Sequence, residues 1–148
     1  MPELANTRFG TLEFSEEDII RFENGLIGFD RCRRFVIIST SQNETFRWLQ
    51  SLDEPSLAFL VVDPARYVDG YSVEIGDEEA AALGIDAETP TLLLTTASIP
   101  NANPQGMTLN LAGPIVINAE ARVGRQLIMD DESIPTKHPV FGTSKKAA

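Results

Sequence analysis

The chain has 148 residues, 43% of them hydrophobic and 23% charged, and its 12 basic against 22 acidic residues give a net charge of −10. That length can bury one core without disulfides or metal, and the composition is that of an ordinary soluble globular domain. The acidity argues against direct nucleic-acid binding, where Lys and Arg must neutralise phosphate, and no apolar run approaches the roughly 20 residues of a membrane span.

The N-terminus, Met1-Pro2-Glu3-Leu4, shows no secretory signal, and the single cysteine, Cys32, suits a reducing compartment, so the cytoplasm is the natural location. A net negative surface favours a basic protein partner, because complementary charge speeds encounter; the plainer reading is that it keeps the protein soluble. The chain reads as a single domain over 1–148, ordered from about residue 7 to 141, with 142–148 a disordered tail.

In chain order, Met1 to Asn6 reads as a frayed end. Arg8 to Phe14 reads as a strand bent at Gly10. Ser15 and Asp18 have capping-box spacing, but the β-branched and aromatic residues that follow favour a strand from Asp18 to Phe22. Asn24 to Phe29 is a turn in which Gly25 and Gly28 can take positive φ, with Leu26, Ile27 and Phe29 as apolar content. Arg31, Arg33 and Arg34 surround Cys32, which reads as a structural thiol.

Phe35 to Ser39, Phe46 to Leu52 and Leu57 to Val62 are strands separated by polar turns. The second alternates, with Phe46, Trp48, Gln50 and Leu52 on one face, so Trp48 reads as a core anchor. Asp63-Pro64 ends the third, since proline cannot donate to a ladder. Tyr71 to Ile75 reads as another strand. Glu78 to Leu83 is the one convincing helix, capped by Asp77 and closed by Gly84 in the left-handed region. Ala80 and Leu83 share the face that rests on the sheet.

Thr91 to Thr96 is a buried strand, and Ile99 to Gly106 a loop longer than a tight hairpin. Thr108 to Met129 organises the rest. Leu109 and Leu111 alternate with polar residues, Gly113-Pro114 breaks the ladder, and Ile115 to Ile117 is β-branched and apolar. Gly124 separates a polar turn from a last apolar run, Gln126 to Met129. The amides of Asn110, Asn118 and Gln126 sit among apolar residues, where such groups usually satisfy backbone. The sum is a mainly β fold, a compact antiparallel barrel or sandwich with one short helix.

No catalytic constellation assembles from these residues. One histidine and one cysteine, far apart, do not make a zinc site, and the acidic runs lack the alternation of a calcium loop. A Ser–His–Asp arrangement could draw only on His138, near the chain end, and no glycine-rich phosphate loop is present. The reading is a binding protein without cofactor or metal.

TLNLAGPIVIN (108–118) followed by GRQLIM (124–129), with FENGLIGF (22–29), LAFLVVDP (57–64) and KHPVF (137–141), closely resembles the FliW family of bacterial flagellar assembly factors. The order and spacing of these pieces together make the resemblance specific. Two positions depart from the family pattern: Ile27 stands where proline is frequent, and Ile134 where an aromatic is common. The resemblance implies a small cytoplasmic β protein that is not an enzyme. It implies two partners, flagellin and CsrA, the latter a dimeric RNA-binding repressor of flagellin translation. Flagellin would occupy the protein until it is exported; the freed protein would then bind CsrA away from its RNA surface and antagonise it allosterically.

Within that expectation, Leu26, Ile27 and Phe29 of the glycine turn and Pro100, Asn103 and Gln105 of the long loop are candidate flagellin contacts. The acidic segments Asp77, Glu78, Glu79 and Asp130, Asp131, Glu132 are candidate CsrA contacts. The two surfaces are expected to overlap at least partly. A general chaperone or adaptor for apolar flagellin helices, without a regulatory partner, is the alternative from another class. A nucleic-acid-binding barrel is third and is disfavoured by charge.

Overall fold

The computed structural model describes residues 2–7, 9–39, 46–68, 70–99, 106–129, 134 and 136–139. Among them run strands β1 (Glu3–Thr7), β2 (Gly10–Glu13), β3 (Ile20–Arg21), β4 (Arg34–Ile38), β5 (Arg47–Ser51) and β6 (Ala58–Val62). Helix α1 (Asp77–Leu83) follows, then β7 (Thr91–Ser98), β8 (Thr108–Leu109), β9 (Ile115–Asn118), β10 (Val123–Gln126) and β11 (His138–Pro139).

Seven of these strands close into a barrel. The order β7-β6-β5-β4-β3-β10-β9 returns to its start because β9 also pairs with β7. Every step is antiparallel except β3 with β10, which run parallel and meet at the single position Arg21↔Val123. Closure removes most of the open edges that invite unwanted pairing, but the two-residue β3 covers β10 only at Val123.

Alternation decides what fills the barrel. Phe35 of β4, Leu49 of β5, Val61 of β6, Leu94 of β7 and Ile115 and Ile117 of β9 point inward, joined by Ile20, Phe22, Leu26 and Cys32. Their neighbours point outward into satellite clusters. Val36 lies under the β1–β2 hairpin with Leu4 and Phe14, and Val116 lies under α1 with Leu83 and Leu127. Gly124 belongs to the interior: a Cβ there would stand 2.7 Å from the Phe22 ring and 3.1 Å from Ile117. It is therefore a strand glycine held by close packing and not the turn residue its neighbours suggest.

The region from β8 to β9 is one strand interrupted. Leu94 of β7 faces Ile115, while Ala97, three residues on, faces Leu109, six residues back. The surplus residues bulge out at the break, where Asn110 Oδ1 accepts from the N–H groups of Ala112 (3.1 Å) and Gly113 (3.0 Å). Asn118 works at the other end of β9. Its Nδ2 donates to Leu83 O (2.8 Å) and Gly84 O (3.3 Å), and its Oδ1 accepts from Glu120 and Ala121 N–H, both 3.0 Å. One buried amide thus ties the end of α1 to the β9–β10 turn.

Several local expectations are corrected. Residues 3–7 form a paired strand, not a frayed end, because the hairpin gives them the partner β2. The capping box of Ser15 and Asp18 does form and starts a 3₁₀ turn over Glu16–Asp18, which shortens the following strand to Ile20–Arg21. Tyr71 to Ile75 pairs with no strand; Val73 and Ile75 pack on the outer surface beside α1. Trp48 faces outward, edge-on to Phe9 at 5.6 Å, while Leu49 takes the core. Gly76 occupies the helix N-cap without a side-chain bond, so Asp77 is the first helical residue. Gly84 closes α1 at φ 68° as expected, and Leu83 is its buried residue. The strand next to the expected run Gln126 to Met129 is Val123–Gln126, so Leu127 to Met129 lie beyond it.

Candidate functional site

At the barrel end above Phe22 the chain turns twice on glycine. Gly25, at φ 66°, donates its N–H to Phe22 O, and Leu26 and Phe29 exchange backbone bonds of 3.3 and 2.7 Å around Ile27-Gly28. Gly28, at φ 85°, holds the third position of this tight turn, where type II geometry demands glycine. The turn sorts its apolar residues. Leu26 is only 3% exposed and packs its side chain into the barrel core, so it supports the loop from beneath. Ile27, at 53%, points out, and Phe29, at 38%, lies edge-on to Phe59 at 5.2 Å.

Gln126 fastens this loop to the barrel. Its Oε1 accepts from Ile27 N–H and its Nε2 donates to Gly113 O, both at 2.9 Å. The loop, the end of β10 and the start of α1 then enclose a groove of about 800 Å³. Asn24 to Gly28 and Asp30 form one wall, Arg125 to Met129 the floor, and Glu74, Gly76 and Glu79 the other wall. Ile128, 75% exposed, stands beside it as a second bare aliphatic group. Arg125 pairs with Glu79 at 3.3 Å, which leaves the carboxylates of Asp30 and Glu74 without a cation among the lining side chains. The groove is therefore apolar at two points and acidic along its walls.

The candidate contacts distribute as follows. Ile27 and Glu79, expected on separate partner surfaces, line the same groove. Asp77 and Glu78 are exposed at the helix start next to it. Phe29 lies on the far side of its turn, toward Phe59. Pro100, Asn103, Gln105, Asp130, Asp131 and Glu132 lie outside the described residues, although Met129, just before the second acidic run, lines the groove. Nothing in the sequence marks Arg125 or Glu74 as groove residues, and for Ile128 the one signal is an apolar residue two positions after the Gln126 amide.

The arrangement offers surfaces for binding. Among the described residues no group of three or more His, Cys, Asp or Glu side chains could hold a metal ion. Cys32 is buried, with Sγ 3.9 Å from Glu54 Oε2. Outside the groove lining, burial pushes the Asp53 carboxyl up. The N–H groups of Arg33 and Arg34 and the Arg34 guanidinium together outweigh that and hold it below the usual range.

A family profile described as "FliW protein" matches residues 3–140. The chain belongs to the FliW family. A flagellar assembly factor FliW from Natranaerobius thermophilus is 32% identical over 148 residues, covering 98% of each chain. One from Caldanaerobacter subterraneus subsp. tengcongensis is 38% identical, over 98% of this chain and 97% of its own. One from Magnetococcus marinus is 38% identical, over 88% of this chain and 81% of its own. A crystal structure of the flagellar assembly factor FliW superposes with a TM-score of 0.86 at 32% identity, covering 95% of this chain and 97% of that one. The closed barrel with a single helix is thus the FliW fold.

Proposed function

We propose that this FliW-family protein is a cytoplasmic flagellar assembly factor that binds flagellin and CsrA in turn. Held by unsecreted flagellin, it leaves CsrA free to repress the flagellin message. Released by export, it binds CsrA away from the RNA surface and relieves repression. The family supports the role in flagellar assembly, and the resemblance set out above supports the two partners. The location is supported by the single buried cysteine; among the described residues no helix is long and apolar enough to cross a membrane.

The observation that carries the switch is the meeting of Ile27 and Glu79 in one groove. An apolar contact suited to flagellin and an acidic contact suited to CsrA cannot both be occupied there by separate proteins. Exclusion then needs no hinge: overlap alone makes each partner weaken the other reciprocally. Titrating CsrA onto a preformed complex with flagellin tests this. CsrA should displace flagellin; a stable ternary complex would refute the shared groove.

A further inference from the structure

Among the described residues, strand β10 lacks a neighbour on one side along half its length. On one side β9 pairs with it from Val123↔Asn118 to Gln126↔Ile115. That ladder continues past the strand, as Leu127 N–H donates to Pro114 O and Met129 N–H to Ala112 O, both 2.8 Å. On the other side β3 meets it only at Val123, with Arg21 N–H donating to Arg122 O at 3.0 Å. Then β3 ends, Phe22 turns into the core, and the chain departs through Gly25.

Alternation fixes where the remaining backbone groups point. The odd-numbered residues from Val123 to Met129 direct their N–H and C=O toward β9 and its extension, so Gln126 and Ile128 direct theirs the opposite way. No backbone hydrogen bond joins Gln126 or Ile128 to another described segment on that side. The groove lies there, between the Asn24–Gly28 wall and the Arg125–Met129 floor. It occupies the place that a longer β3 would fill.

We propose that this slot takes an extended segment of a partner, added as a strand on the Gln126–Ile128 edge, with apolar residues flanked by Lys or Arg. The inference rests on the groove being the docking site proposed above and adds the mode and chemistry of the occupant. Charge supports the basic flanks: Asp30 and Glu74 line the groove beside a Glu79–Arg125 pair. The apolar positions answer to Ile27 and Ile128. Backbone decides between strand and helix. A helix satisfies its own N–H and C=O groups, so laid in the groove it would cover those of Gln126 and Ile128 and leave them without partners; a strand pairs them. Natural edges are ordinarily blunted by Lys, proline or a bulge. This one ends in a bare isoleucine.

The test uses the full chain, amide hydrogen exchange, and a short acetylated peptide of alternating lysine and valine as the probe. Saturable binding at or below about 1 mM, with slowed exchange at the Gln126 and Ile128 amides, is the expected result. Methylating alternate peptide nitrogens should weaken binding about tenfold in one register and little in the other, the factor expected from one or two lost backbone bonds. Ile128→Pro, which deletes an edge N–H, should abolish binding. If that variant does not fold, Ile128→Lys should weaken binding through the added positive charge beside the basic flanks of the peptide, while Glu13→Lys on the β1–β2 hairpin leaves it unchanged. No saturable binding, unchanged exchange at both amides, or equal effects of the two methylation registers would overturn the proposal. Flagellin separates the two readings. If flagellin binds without slowing those amides, strand addition is wrong and the functional reading stands; if it does not bind at all, the functional reading falls.

Discussion

Replacing Gln126 with alanine removes the side chain that, among the described residues, joins the glycine loop to the bulge before β9. Two bonds of 2.9 Å disappear, one from Ile27 N–H and one to Gly113 O. Their losses are unequal. Ile27 is half exposed and water can take its N–H, which limits that loss to about 0.5 kcal/mol. Gly113 is buried, so its carbonyl loses a partner that water cannot readily replace, at about 1–3 kcal/mol. A net destabilisation of about 2 kcal/mol should lower Tm by about 6 °C for a chain of this size. Gln126→Glu separates the two bonds. Its carboxylate can still accept from Ile27 N–H but offers nothing to Gly113 O, so at neutral pH it should destabilise at least as much as alanine. Stability relative to the wild type should recover as acid protonates the new carboxyl, which can then donate. Thermal unfolding followed by circular dichroism reads both variants, and a flagellin titration reads the loop. A Gln126→Ala Tm within about 1 °C of the wild type would refute the claim that this amide holds the groove together.

Gly25→Ala should destabilise by about 3 kcal/mol or more, read by denaturant unfolding, because its Cβ would fall 2.5 Å from Phe29 O and 2.6 Å from Asp30 Cα at a left-handed φ. Gly124→Ala should cost about 1–3 kcal/mol by overpacking against Phe22, and the double variant with Phe22→Leu should recover part of the loss, since the two changes share one contact. Asp53 has a depressed folded pKa, so its contribution is complete above the unfolded value of about 3.9 and fades as pH falls through the folded one. Asp53→Asn should therefore remove a stabilisation of no more than about 1 kcal/mol at neutral pH, discounted for solvent screening, and flatten the loss of stability below about pH 4.

The strands that the sequence announces are those whose burial is two-sided and whose residues are β-branched. Phe35 to Ile38, Ala58 to Val62, Thr91 to Leu94 and Ile115 to Ile117 each carry apolar side chains to the core and to a satellite cluster, so an unbroken apolar run marks them. Glu3 to Thr7 is mostly polar and is a strand only because its hairpin partner holds it. Tyr71 to Ile75 has the alternation without a ladder to join. Alternation cannot say which face is the inside, and so Trp48 and Leu49 exchange roles. Gly124 shows the same limit: a missing side chain reads as a turn until the Phe22 ring is seen to fill its place. The groove was least legible. Its key bond joins residues 99 apart in sequence, and only barrel closure brings Ile27, Gln126 and Glu79 together.

A shared groove and a remote coupled site would regulate differently, and the difference is measurable. If flagellin and CsrA compete for one surface, the apparent CsrA affinity falls in proportion to free flagellin without limit. At a hundredfold excess over its Kd, flagellin contributes about 2.7 kcal/mol against CsrA, and a thousandfold excess about 4.1. Coupling through a conformational change saturates instead, at 1–3 kcal/mol in typical cases, once the flagellin site is full. The closed barrel favours the first behaviour. Its core is packed from six of the seven barrel strands, and Gln126 and Asn118 fasten the loop and the helix to it, so among the described residues there is no loosely joined body to transmit a shape change. The logarithm of apparent CsrA affinity plotted against the logarithm of flagellin concentration should therefore descend with slope near −1 across the accessible range. A plateau would move the second partner off the groove and require a coupling route that the packing of this barrel does not supply.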